Sequence, residues 1–109
     1  MKPSGAVRIV LVTCGSVAEA RRIARAVVER RLAACVNITL GAVESVYRWK
    51  GRVAKARERL LIIKTTEAHL PELERQVKQL HGYDLPEFLV VAANGGSKEY
   101  LAWVSGSLR

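Results

Sequence analysis

The chain is short of the residues from which familiar catalytic and metal-binding motifs are built. It has 2 cysteines, 2 histidines and 3 prolines among 109 residues, and 6% of its side chains are aromatic. Cys14 and Cys35 are far apart and lack Cys-x-x-Cys spacing, so the expectation is two buried packing thiols in a reducing compartment rather than a structural disulfide. There is no His-Glu-x-x-His, no Gly-x-Ser-x-Gly, no Ser-His-Asp context and no glycine-rich phosphate loop between a strand and a helix. These absences point away from an enzyme and from an organic cofactor. No apolar run approaches the roughly 20 residues of a membrane span, and Arg8 falls where a signal peptide would need its apolar core. The chain reads as a cytoplasmic protein with no membrane partner.

What the chain has in excess is positive charge. Lysine and arginine number 18 against 10 acidic residues, a net charge of +8, which raises nucleic acid as a partner. The densest basic cluster, Arg21, Arg22, Arg25, Arg30 and Arg31, is interrupted by Glu19 and Glu29 and lies on the polar side of a helix. That pattern fits a solvated face. The length suits one domain, residues 6–109, behind a frayed N-terminus over residues 1–5.

Strands and helices alternate along the chain. Val7 to Thr13 is short, apolar and β-branched, as in a strand buried on both faces. Ser16-Val-Ala-Glu19 reads as a capping box that launches a helix with Ala20, Ile23, Ala24, Val27 and Val28 on its apolar stripe. Leu32 to Thr65 is strand-like on both sides of one turn, Lys50-Gly51, which implies a single long hairpin. A second helix follows from Thr65-Thr66-Glu67 and carries Leu70, Leu73, Val77 and Leu80, with Pro71 in its first turn; it ends by His81-Gly82. Glu87 to Ala93 reads as a last strand. After Asn94-Gly95-Gly96, Ser97 caps a terminal helix with Tyr100, Leu101, Val104 and Leu108 on its apolar side.

The fold class is therefore α+β, a β-α-β-β-α-β ferredoxin-like sandwich with a long hairpin between its second and third strands and a C-terminal helix. Hairpin arms of about 15 residues span roughly 50 Å, whereas a helix of about 15 residues is only about 22 Å long. Two helices leave one sheet face and the end of the hairpin uncovered, so self-association is expected. Tyr47 and Trp49 share a face near the hairpin tip and, with Val46, are candidate interface anchors. The strand order is also that of RNA-binding domains. Those read bases with aromatics on the two central strands, and here the corresponding segments, Val7 to Thr13 and Val53 to Thr65, have none. No nucleic acid partner is expected.

Five segments, Leu32-Ala-Ala-Cys-Val-Asn-Ile38, Ser45-Val-Tyr-Arg-Trp-Lys-Gly51, Ile63-Lys-Thr-Thr66, Leu80-His-Gly-Tyr83 with Pro86-Glu87, and Tyr100-Leu-Ala-Trp103, stand in the order and spacing of one family. Through them the chain resembles the CutA divalent-cation tolerance family over nearly all of Val7 to Arg109. The resemblance implies a homotrimer similar in architecture to PII signalling proteins, with hairpins packed on neighbouring subunits. It also implies tolerance to copper or other divalent metal ions, a response to metal ion without catalysis. Copper-binding relatives are thought to use a cysteine near the end of the first strand and a histidine pair. Here that cysteine position is Val12, Cys14 lies two residues on, and the pair has become Leu80-His81.

Cys14 and His81 are accordingly the candidate metal ligands, and a thiolate with an imidazole suits Cu2+ or Zn2+ better than Mg2+ or Ca2+. The competing reading of His81 is a helix-end histidine bonding a final carbonyl. Cys14, before Gly15-Ser16, admits either an activated thiolate or a structural thiol. His69 has no partner nearby in sequence. Glu58, Lys64, Asp84 and Glu87 are candidate lining residues of an intersubunit cleft, where a PII-like small-molecule sensor would hold its ligand.

Overall fold

In the first strand, β1 (Val7–Cys14), alternation sends Val10, Val12 and Cys14 into the core with no exposed surface, while Ile9 and Leu11 on the other face are only half buried. The expectation of burial on both faces is thus corrected. The computed structural model describes residues 6–109, and the expected fraying of residues 1–5 lies outside the described residues. Helices α1 (Val17–Glu29) and α2 (Leu70–Leu80) lie on the side of Val10 and Val12, where Ala20, Ile23, Val27, Leu73 and Val77 close one core with Leu61 and Ile63.

The return arm of the hairpin is one strand of 15 residues, β4 (Arg52–Thr66). At about 3.3 Å per residue it is roughly 50 Å long, in keeping with a longest molecular dimension of 47 Å. The outgoing arm is divided into β2 (Cys35–Ile38) and β3 (Val43–Trp49), both antiparallel to β4. Ile38 faces Leu61 and Val43 faces Glu58, so Thr39 to Ala42 oppose only Arg59 and Leu60, and the ladder bulges there. Thr39 Oγ1 accepts from Leu60 N at 2.9 Å and Leu40 O accepts from Arg59 Nε at 3.0 Å, so the bulge is tied down. At the tip Trp49 pairs with Arg52 across a two-residue turn, Lys50 at φ 52 and Gly51 at φ 78, the mirror-image turn that matches strand twist.

β5 (Leu89–Ala92) pairs with β1 and completes the order β2-β4-β1-β5, with β3 continuing beside β4. β5 is shorter than the expected Glu87–Ala93 strand and is exposed along its length, because it forms a sheet edge beyond the reach of α1 and α2. The two central strands, β1 and β4, carry no aromatic residue. α3 (Lys98–Gly106) is capped by Ser97, whose Oγ accepts from Tyr100 N, and packs Leu101 and Val104 on Val7. Two residues placed on apolar stripes stay largely in solvent. Val28 is 39% exposed and Tyr100 43%, since each lies at the margin of its helix's packed face. No helix among the described residues is long and apolar enough to cross a membrane.

Candidate functional site

β1 ends in the core at Cys14, α1 begins three residues later, and His81 caps the end of α2, so the fold brings the β1–α1 junction against a segment more than 60 residues away. The Cys14 thiol, the His81 imidazole and the Glu19 carboxylate each place a donor atom within 4.8 Å of the others. Cys14 and His81 are buried, and Glu19 closes the cluster on the solvent side. Ser16 Oγ accepts from Glu19 N at 3.1 Å, as the capping box predicts. The Glu19 side chain does something else. Instead of returning to Ser16 N, it accepts from Gly15 N at 3.3 Å and from Gly82 N at 2.6 Å, clasping the start of α1 to the end of α2. Sequence reasoning sees Glu19 only as a cap. Its place beside Cys14 and His81 depends on a tertiary contact that no local spacing reveals.

His81 does not bond a final helix carbonyl with its ring. Its Nε2–H donates to Thr13 O at 2.7 Å, and Nδ1 accepts from Tyr83 N at 3.1 Å, which assigns the proton to Nε2. Glu19 Oε2 lies 3.8 Å from Nδ1. Burial, joined by the Glu19 and Glu58 carboxylates and opposed by Arg22, pushes the Cys14 thiol up to about 12. Cys14 is therefore a thiol at neutral pH, and the activated-thiolate reading is corrected. Burial in the core, the largest cause, and the two carboxylates outweigh the opposing charge of Arg22.

Tyr83 links this cluster to a cleft beside the hairpin. Its ring packs at a tilt of 52° against that of His81, centroids 4.7 Å apart, and its hydroxyl donates to Glu58 Oε2 at 2.9 Å. Burial and the Glu58 carboxylate push the Tyr83 hydroxyl up to about 12. The cleft encloses about 750 Å3 and takes Glu58, Asp84 and Glu87 in its lining, together with Tyr47, Trp49 and Val46 from β3. Burial and then Glu58 raise the Glu87 carboxyl above its ordinary range, while a hydrogen bond from Thr13 opposes the rise.

Lys64 is not with these acids. Its Nζ donates to Cys35 Sγ at 3.9 Å, at the far end of β4 from Glu58. Cys35 is only half buried, not a packed core thiol, because it lies on the sheet face away from the helices. His69 finds partners that sequence does not suggest, Thr66 Oγ1 at 2.7 Å and Arg109 O at 2.5 Å.

The family model described as CutA1 divalent ion tolerance protein matches residues 8–107. A divalent-cation tolerance protein CutA of Thermus thermophilus is 48% identical over 96 residues, covering 88% of this chain and 92% of the relative. A chloroplastic protein CutA of Arabidopsis thaliana is 43% identical over 101 residues, covering 93% of this chain and 55% of the relative, so the chain spans about half of that plant protein. Among solved structures, the divalent cation tolerance protein of Thermus thermophilus superposes with a TM-score of 0.92 at 44% identity, covering 94% of this chain and 99% of that one. CutA1 of Oryza sativa gives 0.91 at 40% identity, covering 98% of each chain. By sequence over nearly its whole length and by fold, the chain belongs to the CutA1 divalent ion tolerance family.

Proposed function

We propose that this protein is a non-catalytic, homotrimeric metal-tolerance protein of ferredoxin-like subunits, each the single domain 6–109, that takes up copper or another divalent ion through Cys14, Glu19 and His81. The convergence of thiol, carboxylate and imidazole within 4.8 Å carries this reading. The donor set of soft sulfur, borderline nitrogen and hard oxygen fits Cu2+ or Zn2+. Entry of the ion displaces the Cys14 proton and takes the Nδ1 lone pair that now accepts from Tyr83 N. Uptake is therefore proton-linked and strengthens as pH rises. A reducing cytoplasm would keep both free thiols available.

The trimer is supported by the uncovered sheet face. Ile9, Leu11, Leu60, Ile62, Leu89 and Val91 are paired or adjacent across β4, β1 and β5 on the side opposite the helices. Tyr47 and Trp49, exposed on β3, continue that face toward a neighbour, and Val46, also exposed, offers a contact on the opposite face of the hairpin by strand alternation. Native mass spectrometry with and without Cu2+ and Zn2+ tests both parts. The expected result is a trimer with one ion per subunit, and uptake sharply reduced in Cys14→Ser and His81→Ala. A monomer overturns the architecture, and unchanged uptake by folded Cys14→Ser overturns the site.

A PII-like sensor with ligands in intersubunit clefts is the second reading, favoured by the joint lining of one cleft by Glu58, Asp84 and Glu87. Lys64 lies outside that set. An RNA-binding role is disfavoured by the aromatic-free central strands.

A further inference from the structure

The donor atoms that converge beside the end of α2 are already in use. His81 donates its Nε2 proton to Thr13 O at 2.7 Å, so its free lone pair is on Nδ1, where it accepts from Tyr83 N at 3.1 Å. Glu19 Oε2, 3.8 Å from the same Nδ1, accepts from Gly82 N at 2.6 Å. Two successive amides thus sit on the atoms with which the imidazole and the carboxylate would hold an ion. A carboxylate oxygen has a second lone pair to offer, but a neutral imidazole has only one. At Nδ1, the docked segment and a ligated histidine exclude each other.

The same segment lies on the way in. Cys14 and His81 are buried, and Glu19 closes the solvent side of the cluster with the exposed Gly82 bonded to it. A Cβ on Gly82 would stand 3.1 Å from Glu19 Oε2, so the backbone rests directly on the carboxylate.

Tyr83 holds the segment from its other end. Its ring packs against the imidazole, and its hydroxyl donates at 2.9 Å to Glu58, which is 7% exposed. A hydrogen bond to an ionised acceptor is among the stronger kinds. Glu58 faces Val43 as the first pair of the outer β3–β4 ladder, beside the bulge. One residue therefore touches the donor cluster through its amide and the root of the hairpin through its hydroxyl. All of these bonds are made within one subunit, so they do not depend on which surfaces a neighbour covers.

On the reading of Cys14, Glu19 and His81 as the metal site, we infer that Gly82 and Tyr83 form its gate and that the bond from Tyr83 to Glu58 sets its affinity. Ligation by His81 takes Nδ1 from the Tyr83 amide, frees the segment and loosens its hold on Glu58. Linkage is reciprocal, so whatever weakens that hold tightens ion binding. The apparent affinity is the intrinsic one reduced to the fraction of molecules whose segment is released.

Zn2+ is the probe, because it has no redox chemistry of its own. Isothermal titration and residue-resolved amide hydrogen exchange are measured on the whole chain at constant pH, with and without saturating Zn2+. The expected result is faster exchange at Gly82 and Tyr83 in the zinc-loaded wild type, and no such change in Cys14→Ser. Tyr83→Phe keeps the ring on His81 and removes the bond to Glu58, so it should bind Zn2+ about tenfold more tightly. A merely structural role for Tyr83 predicts the opposite sign, weaker binding. No Zn2+ uptake by the wild type overturns the metal site and the gate with it. Uptake with unchanged protection at Gly82 and Tyr83 overturns the gate alone, as does acceleration that persists in folded Cys14→Ser. Zinc affinity at or below that of wild type in folded Tyr83→Phe overturns the coupling to Glu58. Should Tyr83→Phe fail to fold, exchange in the wild type still decides the gate.

Discussion

Glu19 joins the ends of two helices through one carboxylate. It accepts from Gly15 N and Gly82 N while facing Cys14 and His81. Replacing it with glutamine keeps the shape, removes the charge and turns one acceptor into a donor facing an N–H. A loss of about 1–3 kcal/mol is expected in denaturant unfolding, with the Cys14 thiol titrating at lower pH by thiolate absorbance. The raised thiol and phenol also set a pH dependence. Cys14 rises from 9.0 and Tyr83 from 10.0, each to about 12 in the folded protein. The unfolded chain releases these protons first, so stability is intact below about 9 and falls as pH climbs toward 12. In Cys14→Ser the part of that decline that starts near 9 should shrink; an unchanged stability profile would show that the thiol is not responsible. Cys14 and His81 are both visible in the sequence as chemistry-bearing residues. Their bonds are not, because Thr13 O, Tyr83 N and Glu19 arrive through the packing of β1 against α2.

The hairpin is the element most legible in the sequence. Lys50-Gly51 marks its tip, and both turn residues adopt positive φ. Gly51 meets nothing within 4 Å where a Cβ would stand, so Gly51→Ala tests backbone strain alone. A loss of about 1–2 kcal/mol is expected, whereas Lys50→Asn should be neutral or stabilising, since asparagine tolerates the left-handed region better; equal effects of the two changes in urea unfolding would contradict this account. The interruption at Thr39 to Ala42 is only hinted at by Gly41. It follows from the offset between the two pairings on β4, which is a property of both strands together. Deeper in β4, Leu61 has no exposed surface, and Leu61→Ala should cost about 2–5 kcal/mol. The sequence pattern overextends β5 because Phe88 and Ala93 continue its apolar run, although the ladder with β1 ends at Leu89 and Ala92.

For the molecule as a whole, the helices cover one face of the sheet and leave the other apolar. Leu60 and Ile62 on β4 stand beside Leu11 and Ile9 on β1, with no helix over them among the described residues. Putting a charge there should act on assembly before it acts on the monomer core. Ile62→Glu is expected to shift the sedimentation coefficient from that of the proposed trimer toward that of a monomer, with helical circular dichroism retained. A wild-type monomer at micromolar concentration would remove the reason for the effect.

The sequence alone determined the order of elements, the hairpin and its turn, and the identity of Cys14 and His81 as residues of interest, because local periodicity, capping and turn chemistry are written in neighbouring residues. The tertiary structure decided which donors meet. Glu19 joined the thiol and the imidazole, Lys64 lay toward Cys35 rather than Glu58, and Glu58 was buried with its carboxylate on the Tyr83 hydroxyl. Those outcomes depend on strand register and on how α2 returns to the end of β1, distances that spacing along the chain does not encode.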